Sequence, residues 1–140
     1  MGARRSGREA ALQMLFAMDA AGTSASQVRA DFWRTFESDA EGRAYADALV
    51  DGVDEVRAEL DERITKASAN WRLERMTRVD RNLLRLGAYE ILHRRDVPVA
   101  VVLDEAVELA KAFGTEASPT FVNGVLAAVA QAAGRSDADR

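Results

Sequence analysis

Apolar residues recur at helical spacing along almost the whole chain, and no segment shows the alternation typical of a β-strand. A first predicted helix ends at Gly22, and a short second one places Val28 and Phe32 on one side. A stripe from Tyr45 to Ile64 predicts a long helix with room for a break near its middle. The pattern therefore predicts an all-α bundle in its first half.

The second half carries three stronger helical patterns. The segment "RVDRNLLRLGAYEILH" is apolar over more than half of its circumference, which predicts a central and largely buried helix. Two more helices follow, one from near Pro98 to Gly114 and one from Ser118 onward, and "WRLERM" reads as a single turn or short helix. In total the chain predicts a helical bundle of six or seven helices in two packed subdomains.

Cap residues support these boundaries. Ser24 and Ser38 each stand three residues before a Gln or Glu, as in a capping box, and Thr77 and Ser118 occupy N-cap positions. Gly124 falls inside the last helix, where glycine costs roughly 1 kcal/mol relative to alanine. Close approach of another helix would be a reason to tolerate it.

The composition is that of an ordinary globular protein and excludes several kinds of site. The chain has 140 residues, 48% hydrophobic and 30% charged, and contains no cysteine, which excludes disulfides and thiolate metal sites. No apolar run approaches the roughly 20 residues of a membrane span, and the N-terminal segment reads as an amphipathic helix rather than a signal peptide. We expect a cytoplasmic protein without membrane partners.

Charge is distributed unevenly. The formal net charge is -4, and all basic residues except Lys66 and Lys111 are arginines. Three arginines lie within residues 1–16, and seven lie within residues 72–95 against three acidic residues. Arginine is suited to phosphate and base contacts, so these two basic islands favour a nucleic-acid partner, while solvated faces with local ion pairs remain the alternative.

Signals for catalysis are weak. His93 is the only histidine and lies near a predicted helix end, where a solvated side chain is expected. Acidic residues in "DEAVE" fall in the first turns of a helix, which the helix dipole favours without any metal. The sequence has no phosphate-binding glycine loop and no nucleophile elbow. We therefore expect no enzyme, no metal and no cofactor.

The helical pattern divides near residue 70 into groups at about 3–69 and 70–134, and residues 135–140 are expected to be a disordered tail. Three stretches are informative together: "RREAALQMLF" in looser form, "VDRNLLRLGAYEIL" and "VPVAVVLDEAVELAKAFGTEASPTFVNGVL". They resemble the NusB family of bacterial transcription antitermination factors, which implies a single RNA-binding domain over residues 1–136 with two helical subdomains. The resemblance also implies a factor that binds single-stranded boxA RNA together with the ribosomal protein NusE and joins the RNA polymerase elongation complex indirectly. Homodimers also occur in this family.

The resemblance nominates RNA-binding residues. They are Arg4, Arg5, Arg8, Phe16, Asp80, Arg85, Ser118, Phe121 and Asn123. Asp80 and Arg85 match positions near either RNA or NusE, and Phe16 stands where tyrosine is frequent. Packing or an ion pair would be the structural alternative for Phe121, Asn123 and Arg85.

Two other functions fit the same pattern. A similar helical domain precedes the catalytic domain of certain rRNA cytosine-5 methyltransferases, although this would require residues 1–140 to be an excised domain. The second is a protein-only helical adaptor with solvated arginines, which would bind RNA weakly and without preference for boxA.

Overall fold

The computed structural model describes residues 2–136, and within that range the chain forms seven α-helices and no β-strand. The helices are α1 (Ala3–Ala21), α2 (Ala25–Thr35), α3 (Ala40–Glu55), α4 (Arg57–Ala67), α5 (Arg78–His93), α6 (Val99–Phe113) and α7 (Ser118–Ala132). A 3-10 turn at Leu73–Arg75 precedes α5. The all-α prediction of six or seven helices is confirmed, as is the short turn before the central helix.

The described residues form two compact units, and the first, residues 2–55, contains α1, α2 and α3. Helix α1 packs chiefly along α3, and α2 contacts both. Their apolar stripes meet in a core that includes Leu12, Met14 and Leu49, each at most 3% exposed. Burial of these apolar faces stabilises the three helices, since isolated helices of this length are only marginally stable in water.

The second unit, residues 56–136, is built around α5. This helix contacts α4, α6 and α7, and its side chains Leu83, Leu84 and Ile91 are at most 1% exposed. The wide apolar face of "RVDRNLLRLGAYEILH" therefore has a neighbour on several sides, which confirms the prediction of a central buried helix.

The long helix predicted from Tyr45 to Ile64 breaks at Val56, between α3 and α4. Val56 has φ -114° and ψ 24°, outside the helical region, and α4 then packs on α5 and α7. The boundary along the chain between the two compact units therefore falls between Glu55 and Val56, and α4 belongs to the second unit. The sequence-based division near residue 70 instead assigns this helix to the first group.

Caps follow the predictions in part. The hydroxyls of Ser24 and Thr77 accept hydrogen bonds from Gln27 N (3.2 Å) and Asp80 N (3.1 Å), as expected for N-caps. The expected caps at Ser38 and Ser118 are wrong. Asp39 Oδ1 accepts from Gly42 N (2.8 Å) at the start of α3, so the capping residue is Asp39, one position later than expected.

The expected helix contact at Gly124 is also wrong. Beyond its chain neighbours and the backbone of its own helix, a Cβ built on Gly124 would have no described atom within 4 Å, so this glycine lies on an open face of α7. The close approach occurs at Gly87 instead, where an added Cβ would lie 2.5 Å from Leu126 Cδ1. Helices α5 and α7 therefore pack tightly at Gly87.

The C-terminal segment that follows α7 begins with an ordered residue. Arg135 is 3% exposed, and its guanidinium donates hydrogen bonds to the carbonyl oxygens of Ile91 (2.9 Å) and Val97 (3.0 Å). This side chain satisfies carbonyls at the end of α5 and in the loop after it. Disorder expected from residue 135 thus does not apply to Arg135, and residues 137–140 lie outside the described range.

Candidate nucleic-acid interface

The N-terminal basic island occupies the first two turns of α1. Gly2 precedes the helix and offers no capping side chain, and the first turn contains no acidic residue. Arg4 and Arg5 are exposed, whereas Arg8, one turn later, is only 4% exposed. The positive end of the helix dipole and two exposed guanidinium groups therefore place positive charge at the same end of α1.

Tyr45 on α3 contacts two of these arginines. The Cζ atoms of Arg4 and Arg8 lie 5.2 and 5.5 Å from the centre of the Tyr45 ring, within range of cation–π interactions. Arg8 Nη2 also donates a long hydrogen bond of 3.4 Å to Tyr45 Oη. Arg8 is therefore a buried contact between α1 and α3, while Arg4 remains accessible beside the same ring.

Close packing of two glycines brings α3 this near to α1. A Cβ added to Gly7 would lie 3.0 Å from Gly42 O and 3.1 Å from Tyr45 Cβ. A Cβ added to Gly42 would lie 2.9 Å from Ser6 Oγ. Larger residues at these two positions would push the helices apart and move Tyr45 away from the arginines.

Phe16 lies farther along α1. Its side chain is 38% exposed, so part of the ring faces solvent on a helix whose apolar stripe is otherwise buried. Eight residues separate it from Arg8, which corresponds to about 12 Å along the helix axis. The first unit thus presents a charged end and an exposed aromatic ring on one helix.

In the second unit, the arginines of the basic island at residues 72–95 that lie on α5 have different roles. Arg85 makes a bidentate ion pair with Asp61 on α4, with Nε and Nη2 at 2.8 and 3.1 Å from the two carboxylate oxygens. Arg81 Nη1 donates to the carbonyl oxygens of Met76 (3.3 Å) and Leu73 (3.5 Å), whereas Arg78 is exposed. Arg85 therefore links two helices.

Asp80 lies in the first turn of α5 and is 8% exposed. Its Oδ1 atom is buried and has no hydrogen-bond partner among the described residues. An acidic side chain at this position still interacts favourably with the helix dipole. The structure therefore places Asp80 at a helix end, inside the second unit.

The remaining nominated residues lie at the start of α7. Ser118 is fully buried, and its hydroxyl accepts a hydrogen bond from Thr115 N (2.9 Å), so it shapes the turn before the helix. Phe121 is half-buried and Asn123 is exposed. Of these three side chains, Asn123 and part of the Phe121 ring can reach a ligand.

The sequence does not indicate the roles of Tyr45 and Asp61, which both contact arginines at this candidate interface. Tyr45 reads as one more member of a buried apolar stripe, and Asp61 as one of many acidic residues on a helix. A hydroxyl on a buried ring does signal a polar partner, yet nothing in the sequence identifies arginines 37 and 41 positions away as the groups beside Tyr45.

Three further observations on the described residues concern metal sites, the single histidine and membrane-spanning helices. They contain no cluster of three or more His, Cys, Asp or Glu side chains placed to hold a metal ion. His93 Nε2 is hydrogen-bonded to Glu59 Oε1 at 2.8 Å and its ring stacks on Tyr89, as befits a surface link between α4 and α5. Among residues 2–136, no helix combines the length and hydropathy needed to cross a membrane.

Comparison with known proteins gives one consistent result. The chain is 64% identical over 140 residues to the transcription antitermination protein NusB of Sorangium cellulosum, covering 100% of both. The protein of the same name from Geobacter sulfurreducens is 51% identical over 131 residues, which cover 93% of this chain and 95% of that protein.

Solved structures agree with the sequence relatives. T. maritima NusB superposes with a TM-score of 0.82 at 34% identity, covering 91% of this chain and 90% of that one. A crystal structure of the antitermination factors NusB and NusE in complex with dsRNA gives a TM-score of 0.85 at 28% identity, covering 94% and 98%. The model of the NusB family matches residues 5–131, and the chain therefore belongs to the NusB family.

Proposed function

We propose that the chain is a transcription antitermination factor that binds the boxA RNA element together with NusE, within the RNA polymerase elongation complex. It acts as an RNA-binding regulatory protein in the cytoplasm and not as an enzyme. The observation that carries the proposal is the arginine-rich start of α1 in a chain that aligns with the Sorangium antitermination protein over its whole length. The relatives named above match the antitermination function better than a methyltransferase domain or a protein-only adaptor.

Phosphate contacts are assigned to the exposed end of α1. Arg4 and Arg5 are accessible at the N-terminus of α1, where a phosphate oxygen finds helix N–H donors and positive charge. A net charge of -4 gives the whole molecule no general attraction to RNA, so the gain must come from counterions released at these few contacts. Arg8, being buried, contributes by supporting this end of the helix.

Contacts to the RNA bases are assigned to the partly exposed rings of Phe16 and Phe121 and to the side-chain amide of Asn123. Phe16 on the first unit and Phe121 on the second each expose part of a ring, and Asn123 can donate to and accept from a base edge. Stacking on such rings requires unpaired bases, which favours single-stranded boxA. Ser118 and Arg85 support their own unit through the contacts described above, and Asp80 remains assigned to the surroundings of NusE or RNA.

The test is fluorescence anisotropy of labelled RNA. Single-stranded boxA, a scrambled strand and boxA annealed to its complement are titrated with the protein at two salt concentrations, with and without NusE. We expect preference for single-stranded boxA, tighter binding with NusE and weaker binding at higher salt. Sedimentation velocity of the same samples identifies whether the RNA-bound species is a monomer or a homodimer.

An Arg4→Met/Arg5→Met variant tests the assigned contacts. Loss of two phosphate contacts should reduce the slope of log K against log salt by about 1.4, at about 0.7 per phosphate for a single strand. Arg34→Met is the matched control, because Arg34 is an exposed α2 arginine that pairs with Asp31. Equal binding to boxA and scrambled RNA in the presence of NusE would refute the proposed function and favour a protein-only adaptor.

A further inference from the structure

We infer that Tyr45 is a positioning residue for RNA binding, whose ring holds the exposed Arg4 guanidinium in place for a phosphate. The inference rests on the proposed function and adds a residue on α3 to an interface otherwise assigned to α1. It starts from one observation: two arginines one helical turn apart lie at 5.2 and 5.5 Å from the centre of the same ring.

Burial distinguishes the two arginines. Arg8 is 4% exposed and Tyr45 is 9% exposed, so this pair forms a fixed contact in the interior of the first unit. Arg4 is exposed, and it extends the same arrangement to the surface. Contact with Arg8 and the packing of α1 on α3 therefore hold the Tyr45 ring in place, while Arg4 lies beside the same ring and is accessible to a ligand.

Electrostatics explains what the ring contributes. Residues at i and i+4 face the same way on a helix, and two like charges there repel each other. The negative face of an aromatic ring attracts both guanidinium groups and offsets this repulsion. A long flexible side chain that already lies against a ring also loses less rotamer freedom when it binds a phosphate.

The backbone fixes the position of the ring. Gly7 and Gly42 allow α1 and α3 to approach until an added Cβ on Gly7 would touch Tyr45 Cβ at 3.1 Å. Tyr45 consequently has little freedom to move, and its hydroxyl is further held by the 3.4 Å contact with Arg8. A rigid ring of this kind can act on Arg4 in the free protein, before RNA arrives.

The experiment varies the electrostatics of the ring while keeping its shape. Tyr45→Phe retains the aromatic face and removes the hydroxyl, and 3,4,5-trifluorophenylalanine at the same position weakens the negative face. We expect Tyr45→Phe to bind boxA RNA within about twofold of the parent protein. The trifluoro variant should bind about two- to fivefold more weakly, the range of an exposed cation–π contact.

A double-mutant cycle separates positioning from mere packing. The loss of RNA affinity caused by Arg4→Met is measured in the parent protein and in the trifluoro variant, with Arg34→Met as the charge-matched control. If Tyr45 acts through Arg4, the Arg4→Met loss is smaller when the ring is fluorinated. Arg34→Met should give the same small change in both backgrounds.

The results distinguish failure of this inference from failure of the proposed function. Equal Arg4→Met losses in both backgrounds, in a protein that prefers boxA, would overturn the role of Tyr45 and leave the antitermination function intact. Absence of boxA preference in the parent protein would refute the function itself. Upfield ring-current shifts of the Arg4 side-chain protons, lost when Tyr45→Leu removes the ring, report the contact without RNA.

Discussion

Replacing Gly124 with alanine should stabilise the protein. Gly124 lies in the middle of α7, where glycine costs about 1 kcal/mol relative to alanine. The added methyl group would contact no described atom within 4 Å beyond its chain neighbours and its own helix backbone. No packing penalty therefore offsets the gain in helix propensity. At a urea slope of about 2 kcal/mol/M, the midpoint of unfolding should rise by about 0.5 M.

Gly87→Ala is the matched control, because Gly87 is also helical and lies in the same unit. Its new Cβ would lie 2.5 Å from Leu126 Cδ1, and Leu126 is fully buried. Overpacking of this kind costs about 1–3 kcal/mol, which exceeds the gain in propensity and gives a net loss of about 1 kcal/mol. A lower urea midpoint for Gly124→Ala would show that the face of α7 at this position is covered, contrary to the argument.

The remaining predictions concern charged side chains that contact other helices or loops, and each is measured as a change in the free energy of unfolding by urea denaturation. Asp61→Ala should lower this free energy by about 2 kcal/mol, because it removes the ion-pair partner of Arg85, whose side chain is 12% exposed. A loss below about 0.5 kcal/mol would contradict this prediction. Arg8→Met should lower the free energy of unfolding by about 1–3 kcal/mol, because Arg8 is buried beside Tyr45. Arg4→Met should change it by less than about 0.5 kcal/mol, and equal losses for the two variants would show that burial does not separate the roles of Arg4 and Arg8. Arg135→Met should cost about 2–3 kcal/mol through the lost hydrogen bonds to carbonyls of Ile91, Arg95 and Val97, and an unchanged midpoint would mean that this segment does not support the unit.

Helix content could be predicted from the sequence because one-dimensional periodicity determines it. The stripe of α5 and the end of α1 at Gly22, with φ 70°, depend on residues within a few positions of each other. Caps are less certain since two adjacent polar residues are both suited to the N-cap position. Asp39, one residue after Ser38, caps α3.

The roles of the arginines could not be predicted, because each depends on a partner far along the chain. Arg8 and Tyr45 are 37 positions apart, and Arg85 and Asp61 are 24 apart. In the sequence Arg8 reads as an RNA contact and Arg85 as an RNA contact or an ion-pair partner of unidentified position, and each contacts another helix in the structure. The sequence predicts a break in the helix from Tyr45 to Ile64 but not its position at Val56, because neither glycine nor proline stands there.

The basic start of α1 illustrates how a locally unfavourable sequence persists. Positive side chains at a helix N-terminus each cost roughly 0.3–1 kcal/mol, and α1 has no acidic residue in its first turn to compensate. Packing of α1 along α3 and burial of Arg8 beside Tyr45 offset this cost within the first unit. Arg4 and Arg5 then remain exposed on a rigid helix end in a protein whose net charge of -4 otherwise repels RNA. RNA affinity should therefore depend on a few local contacts, so removal of two exposed arginines should abolish most of its salt dependence while the fold is retained.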